Sequence, residues 1–368
     1  MAIDAEQVKW AYRFLIGREP NQPETDLHLP HYADLEQLRT AFLCTPEAHS
    51  LFNTANIRGG GAYTIPAFLL RAPDHPGVRW EFRTPDLAHP CCQLCTSEQM
   101  QSPEYAALCA VLQMDPTLQH RKLWEYAYIV AALQFEGCLL PGARGLGFGT
   151  GREPLPSAFA ARGIRVTATD APADLGSSAH WAGGAQWTQG LADLFVQGML
   201  PEDAFRALVE YRPADMNAIP PDLRGYDFCW SACCLEHLGS LRHGLDFIHN
   251  SLDALRPGGV AVHTTEFNLS SNQHTMETEG LSLFRKCDLE LLAHELAQAG
   301  HEVAPLNFWP GATPVDEHID LPPFGFPHLK LELMGYVTTS VGLIVRKGAG
   351  RDQGGAPAPG AAVPRYAT

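Results

Sequence analysis

The sequence predicts a doubly wound α/β fold, and three observations carry that expectation. Between residues 119 and 347 short apolar runs alternate with helical ones. A glycine-rich turn comes early in that stretch, and a Pro-Gly-Gly turn closes a later helix just before a new apolar run. Strands that alternate with helices pair in parallel, because a parallel connection needs a crossover, which a helix supplies.

Taken in order, Lys122–Leu133 (KLWEYAYIVAAL) predicts a helix that is apolar on most of its surface. The glycine stretch follows, and Ile164–Asp170 (IRVTATD) reads as a strand bounded by Gly163 and the Pro172 turn. Leu194–Arg212 reads as an inserted helix, and Tyr226 begins an apolar strand in YDFCWSACCLEHL. His243–Gly259 is an amphipathic helix, Val260–Phe267 a strand, Leu289–His301 a helix ending at Gly300, and Val337–Lys347 a last strand. Ahead of this unit, residues 1–60 read as a helical module, with periodic segments at Val8–Leu15 and Leu35–Leu43 around the turn GREPNQPE. Residues 61–118 read as an irregular linker or cap. From 348 to 368 the Ala-, Pro- and Gly-rich composition predicts a disordered tail.

Bulk properties exclude several function classes. A formal charge of −15 disfavours nucleic acid and anionic membrane surfaces as partners. No apolar run reaches the roughly 18 residues that a bilayer span needs, and the N-terminus lacks a signal-peptide pattern, so a cytoplasmic location is expected. The ten cysteines do not form a disulfide framework. His89, Cys91, Cys92, Cys95 and Cys109 contain a Cys-x-x-Cys pair, but the second half of a structural zinc pattern is missing, and buried thiols are the expectation.

The chemistry turns on GARGLGFGTGREP. Glycine within a strand or helix is destabilising by roughly 0.5–1 kcal/mol relative to alanine, so Gly145, Gly147, Gly149 and Gly151 answer some backbone requirement. The dinucleotide pattern G-x-G-x-x-G fails here, since Thr150 or Arg152 stands at the third glycine position. An acid, Asp170, closes the next strand, where a carboxylate can accept from ribose hydroxyls. Asp215 and Met216 sit at a further candidate strand end, placed to accept from an adenine amino group and to pack on its ring.

GLGFGTG, the acid of VTATD, the Asp-Met pair, YDFCWSACCLEH and LRPGG together resemble class I S-adenosylmethionine-dependent methyltransferases over residues 120–347. The resemblance implies a Rossmann-like, seven-stranded sheet with an antiparallel last strand at Val337–Arg346. It implies S-adenosyl-L-methionine as cofactor, with Gly145, Gly147, Phe148, Gly149 and Gly151 at its methionine part. Asp170 would then hold the ribose, Asp215 and Met216 the adenine, and Ser231 would flank the cofactor. The opening AYRFLIGREP resembles a small helical module attached to polysaccharide-synthesis enzymes, which tilts the expected acceptor toward a sugar or polysaccharide hydroxyl. O- or N-methylation of a small natural product is the alternative, and a non-catalytic binding module the third reading; a homodimer is left open.

An alcohol acceptor must lose a proton, and the candidate bases are Glu266, His237 and His263, with Glu236 beside His237. Strand alternation puts His263 and Glu266 on opposite faces. Asp316, Glu317, His318, Asp320 and His328 cluster before the last strand and raise the question of a divalent metal; the expectation is a polar loop with no metal. Phe308, Trp309, Phe324 and Phe326 are candidates to stack on a sugar ring.

Overall fold

The computed structural model describes residues 4–12, 20–29, 37–38, 62–172, 187–188 and 190–349. Its centre is a sheet of eight strands: β1 (Arg144–Phe148), β2 (Arg165–Asp170), β3 (Val209–Pro213), β4 (Tyr226–Ala232), β5 (Leu255–Asn268), β6 (Glu302–Val303), β7 (Leu331–Leu333) and β8 (Tyr336–Arg346). Seven of them follow one path, β3-β2-β1-β4-β5-β8-β6, and β7 pairs with β8 off that path. The strands from β3 to β5 run parallel. β8 is antiparallel to β5, with Ser340 opposite Glu266, and to β6. The expected α/β sheet and antiparallel last strand are therefore present, with one short strand more than seven.

Strand order reverses at β1 and β4, so the connections that follow them leave in opposite directions and open a crevice at their carboxyl ends. Among the described residues, helices flanking the sheet include α1 (Arg121–Phe135), α2 (Leu155–Ala160), α3 (Glu202–Leu208), α4 (Leu241–Ser251) and α5 (Lys286–Gln298). α1 is nearly apolar in its middle and buries Trp124, Tyr128, Ile129 and Leu133. His120 caps it, its Nδ1 accepting from the Lys122 amide at 3.0 Å. α1 and α4 lie on opposite faces of β5, because Glu266 meets Arg121 of α1 while His263 meets Ser251 and Phe247 of α4.

Leu194–Arg212 departs from the expectation of a single inserted helix. It begins where a short 3-10 turn, Leu191–Leu194, ends, and holds α3 and then most of β3. β3 is an edge strand with only Val209 buried, so it lacks the apolar signature that marks central strands.

Residues 62–120 pack into the sheet unit. Cys92–Gln93 pairs in parallel with Leu306–Asn307, and the Cys95 amide donates to Ser340 O at 2.9 Å. Cys91, Cys92, Cys95 and Cys109 are all buried, and burial pushes the Cys92 thiol up to about 12. In the N-terminal region, capping boxes from Asp4 and Asn21 start helices at Ala5–Ala11 and Gln22–His28. Most of the expected segment at 35–43, and the tail beyond 349, lie outside the described residues.

Candidate functional site

A cavity of about 330 Å³ opens at the carboxyl ends of β1, β2, β3 and β4. Its walls are the turn Gly149–Glu153, Asp170 and Ala171, Trp187, Ala214–Asn217, Ala232–Cys234, His237 and Leu238, with Lys122 and Tyr126 contributed by α1.

The turn after β1 is built by local bonds. The Thr150 amide donates to Thr169 O at 2.9 Å, and the Gly151 amide donates to Asp170 Oδ2 at 3.2 Å. Gly149 and Gly151 take φ of +58° and +51°, the left-handed region that favours glycine. A Cβ on Gly149 would stand 2.9 Å from the Cys234 sulfur. Gly149→Ala is therefore expected to lower stability by about 1–2 kcal/mol from backbone strain alone, plus the contact with sulfur. Gly142→Ala, at φ +83° with nothing within 4 Å, isolates the backbone part. Equal losses for the two in urea unfolding would remove the crowding argument.

Gly145 and Gly147 do a different job from the one their spacing suggests. Both lie inside β1, and neither lines the cavity. Cβ atoms there would come within 2.6 Å of the Phe228 ring and 2.5 Å of the Trp230 ring, so these glycines let β4's aromatics lie across β1. Phe148 is likewise fully buried, edge-on to Phe247, and Ser231 is buried with its hydroxyl 2.8 Å from His263 Nδ1. These four are packing positions behind the cavity.

Asp170 faces the cavity, with its carboxylate held by three backbone amides: Ala171 at 2.8 Å, and Gly151 and Thr188 at 3.2 Å. Burial raises its pKa, and those three bonds oppose the rise. A carboxylate has about four lone-pair positions, so one stays open to a ligand hydroxyl. Asp215 and Met216 reach the same cavity from the end of β3, because Ala214 N donates to Asp170 O at 2.9 Å and draws the two strand ends together. The 3-10 turn and α3 that separate Asp170 from Asp215 in sequence precede β3 and leave this junction intact.

The candidate bases separate. His237 lines the cavity; its Nδ1 lies 2.7 Å from Gly280 O, which can only accept, so Nδ1 carries the proton and Nε2 is the ring's acceptor nitrogen. Burial lowers its pKa. Glu236, 3.9 Å from Nε2, is buried, accepts from Thr265 Oγ1 at 2.9 Å, and is pushed up to about 7 by burial. Glu266 does not line the cavity. It pairs with Arg121, whose guanidinium also lies 3.5 Å from Glu125 and donates to Ser340 at 3.0 Å. His263 is sealed off: its rings' nitrogens meet Ser231 and Ser251, it is fully buried, and burial pulls its pKa down to about 3. It has no path to a ligand.

Among the described residues one group of His, Cys, Asp and Glu gathers its ligand atoms within 4.8 Å, namely Cys233, Glu236 and Glu266. Arg121 already supplies a cation there. The acidic stretch before the last strand divides instead. Asp316 is buried and accepts from Ser97 and Thr313, His318 is exposed, and Asp320 holds His328 Nδ1 at 2.5 Å. Sequence reasoning missed Lys122, Tyr126 and Glu153. The i, i+4 spacing of the first two on a helix ahead of the glycines is the signal that would have found them.

No family model matches the chain, and no curated protein matches it. Solved structures do. One is phosphoethanolamine N-methyltransferase 2 of Haemonchus contortus, in complex with S-adenosyl-L-methionine, at 19% identity and a TM-score of 0.30, covering 47% of this chain and 37% of that one. Magnesium protoporphyrin IX methyltransferase of Synechocystis PCC 6803, with bound S-adenosylhomocysteine (SAH), matches at 13% identity over 66% of this chain and 93% of that one, TM-score 0.35. The [4+2]-cyclase SpnF matches at 16% identity over 61% and 83%, TM-score 0.36. This chain thus spans little more than a third of the nematode enzyme. At such low identity and superposition, nothing about substrate or chemistry passes from these proteins to it. No helix among the described residues is long and apolar enough to cross a membrane.

Proposed function

We propose that the chain is an S-adenosyl-L-methionine-dependent methyltransferase acting on a hydroxyl, with a sugar or polysaccharide as the acceptor class. One observation carries the cofactor part. The carboxylate of Asp170, the Gly149–Gly151 turn and the Asp215–Met216 pair converge on one cavity at the point where strand order reverses.

The residues fit the cofactor. Gly149 gives up a Cβ that would fill the cradle, Asp170 keeps an acceptor position for a ribose hydroxyl, and Asp215 and Met216 offer an acceptor and a thioether to adenine. When bound, the cofactor supplies an electrophilic methyl group on a sulfonium. The protein's work is then alignment, exclusion of water and removal of the acceptor's proton. His237, held by Gly280 in the tautomer that leaves Nε2 basic, takes the hydroxyl proton, and Glu236 stabilises the imidazolium that results. Arg121 pairs with Glu266 behind them.

The sugar reading is supported by the loop before β7. Phe308 is buried against Phe267 and Trp309 packs edge-on to Phe82, but Phe324 and Phe326 are 46% and 63% exposed beside His328 and His120. Exposed rings of this kind suit the apolar face of a sugar. Calorimetric titration with SAH, beside NAD, tests the cofactor. Micromolar binding of the former alone is expected, and binding of NAD instead would overturn the assignment.

A further inference from the structure

We propose that Glu153 is the residue that recognises the ammonium group at the amino-acid end of the cofactor. The proposal rests on the cofactor reading above and deepens it.

Glu153 closes the turn, is 3% exposed, and forms part of the cavity wall. Its Oε1 accepts from the indole Nε1 of Trp230 at 2.5 Å. That indole is immobilised: it is fully buried in β4, edge-on to Phe159, and it reaches across β1 only because Gly147 has no Cβ. The strand glycine and the buried tryptophan thus act together to aim a carboxyl at the cavity.

What the carboxyl lacks is a cation. Lys122 acts on it from α1, but that ammonium pairs with Glu125 at 3.1 Å and donates to Ala232 O at 2.7 Å. The other titratable groups facing Glu153 are Glu125 and Tyr126 of α1, Asp170 at the end of β2, and Cys234 after β4, none of them positive. Arg152, next in the chain, turns toward Asp193 at 3.7 Å. Burial accordingly pushes Glu153 up to about 8, so the unliganded site holds it mainly as the neutral acid.

A buried acid on a ligand cavity, fixed by one rigid donor and short of a counter-ion, suits a ligand that brings its own positive charge. With Asp170 and Asp215 assigned to ribose and adenine, the charged parts left to place are the sulfonium and the amino-acid end, and the ammonium of the latter can also donate a hydrogen bond to the Glu153 carboxylate.

Two probes isolate the effect. SAH carries the amino-acid end, and 5′-methylthioadenosine lacks it; neither is a sulfonium. Titrated calorimetrically, Glu153→Gln is expected to weaken SAH by more than about tenfold and to leave 5′-methylthioadenosine within about twofold of wild type. Equal weakening of both would mean that Glu153 only supports the turn, and no weakening of SAH would mean that the ammonium lies elsewhere; either overturns the proposal. Should the variant fail to fold, the wild type still decides. At about pH 7, SAH binding is expected to release close to one proton, read from titrations in two buffers of different ionisation enthalpy. Binding without proton release overturns the proposal while sparing the cofactor assignment. Failure of the wild type to bind either probe overturns the assignment itself.

Discussion

Arg121→Met is expected to lower unfolding free energy by about 3–5 kcal/mol, the usual loss when one partner of a buried ion pair is removed. The guanidinium stands between Glu266 and Glu125, whose side chains are 6% and 0% exposed, and it anchors both to Ser340 of β8. Without it, two buried carboxylates face Glu236 with only Lys122 left in the group. Urea unfolding at neutral pH measures the loss, and adding Glu266→Gln to Arg121→Met should recover most of it. A loss under about 1 kcal/mol would mean that the pair behaves like a solvated surface bridge.

The same cluster sets a pH dependence. Burial holds Glu236 at about 7 and also raises Glu266, both above the ordinary 4.5. A raised folded pKa contributes stability in full below the unfolded value and loses it as pH climbs through the folded one. Stability from Glu236 therefore falls between about pH 4.5 and 7, and that from Glu266 falls as pH rises above its ordinary value. Glu125 is shifted the other way: burial, its largest influence, is overcome by Lys122 and Arg121, so its contribution is lost only on acidification. Glu236→Gln should flatten the fall between about pH 4.5 and 7.

Asp170→Ala is expected to raise the dissociation constant for SAH more than tenfold, since a charge-assisted hydrogen bond contributes roughly 1.5–3 kcal/mol. The substitution removes the acceptor that faces the cavity and also strands the amides of Gly151, Ala171 and Thr188, so the turn itself should loosen. Asp170→Asn keeps one carbonyl oxygen for those amides and should fall between the two. Unchanged affinity in Asp170→Ala would sink the ribose assignment.

What could be read ahead of the structure follows from distance along the chain. β1, its turn and Asp170 lie within 27 residues and declare themselves through apolar runs and glycines. Alternation on β5 correctly put His263 and Glu266 on opposite faces, yet periodicity cannot say which face is sealed by a helix. The glycine spacing misled for a related reason: a glycine needed for close packing under Trp230 and one needed for a left-handed turn look identical in a string of letters. β3 was hidden because an edge strand carries few buried residues. The charged cluster was out of reach altogether. Its members, Arg121, Glu125, Glu236, Glu266 and Ser340, are brought together only by sheet order.

That last feature has a bearing on how the protein comes into being. β8, late in the chain, is inserted between β5 and β6, and Ser340 closes a contact with Arg121 across 219 residues of sequence. A nascent polypeptide emerging from the ribosome therefore has β1 to β5 in hand well before it can settle the helix that walls its cavity. Long-range closure of this kind is slow, and until the late strand arrives, β5 presents an unpaired edge. Until β8 is made, the helix that walls the cavity also lacks the Arg121–Ser340 bond that ties it to the sheet.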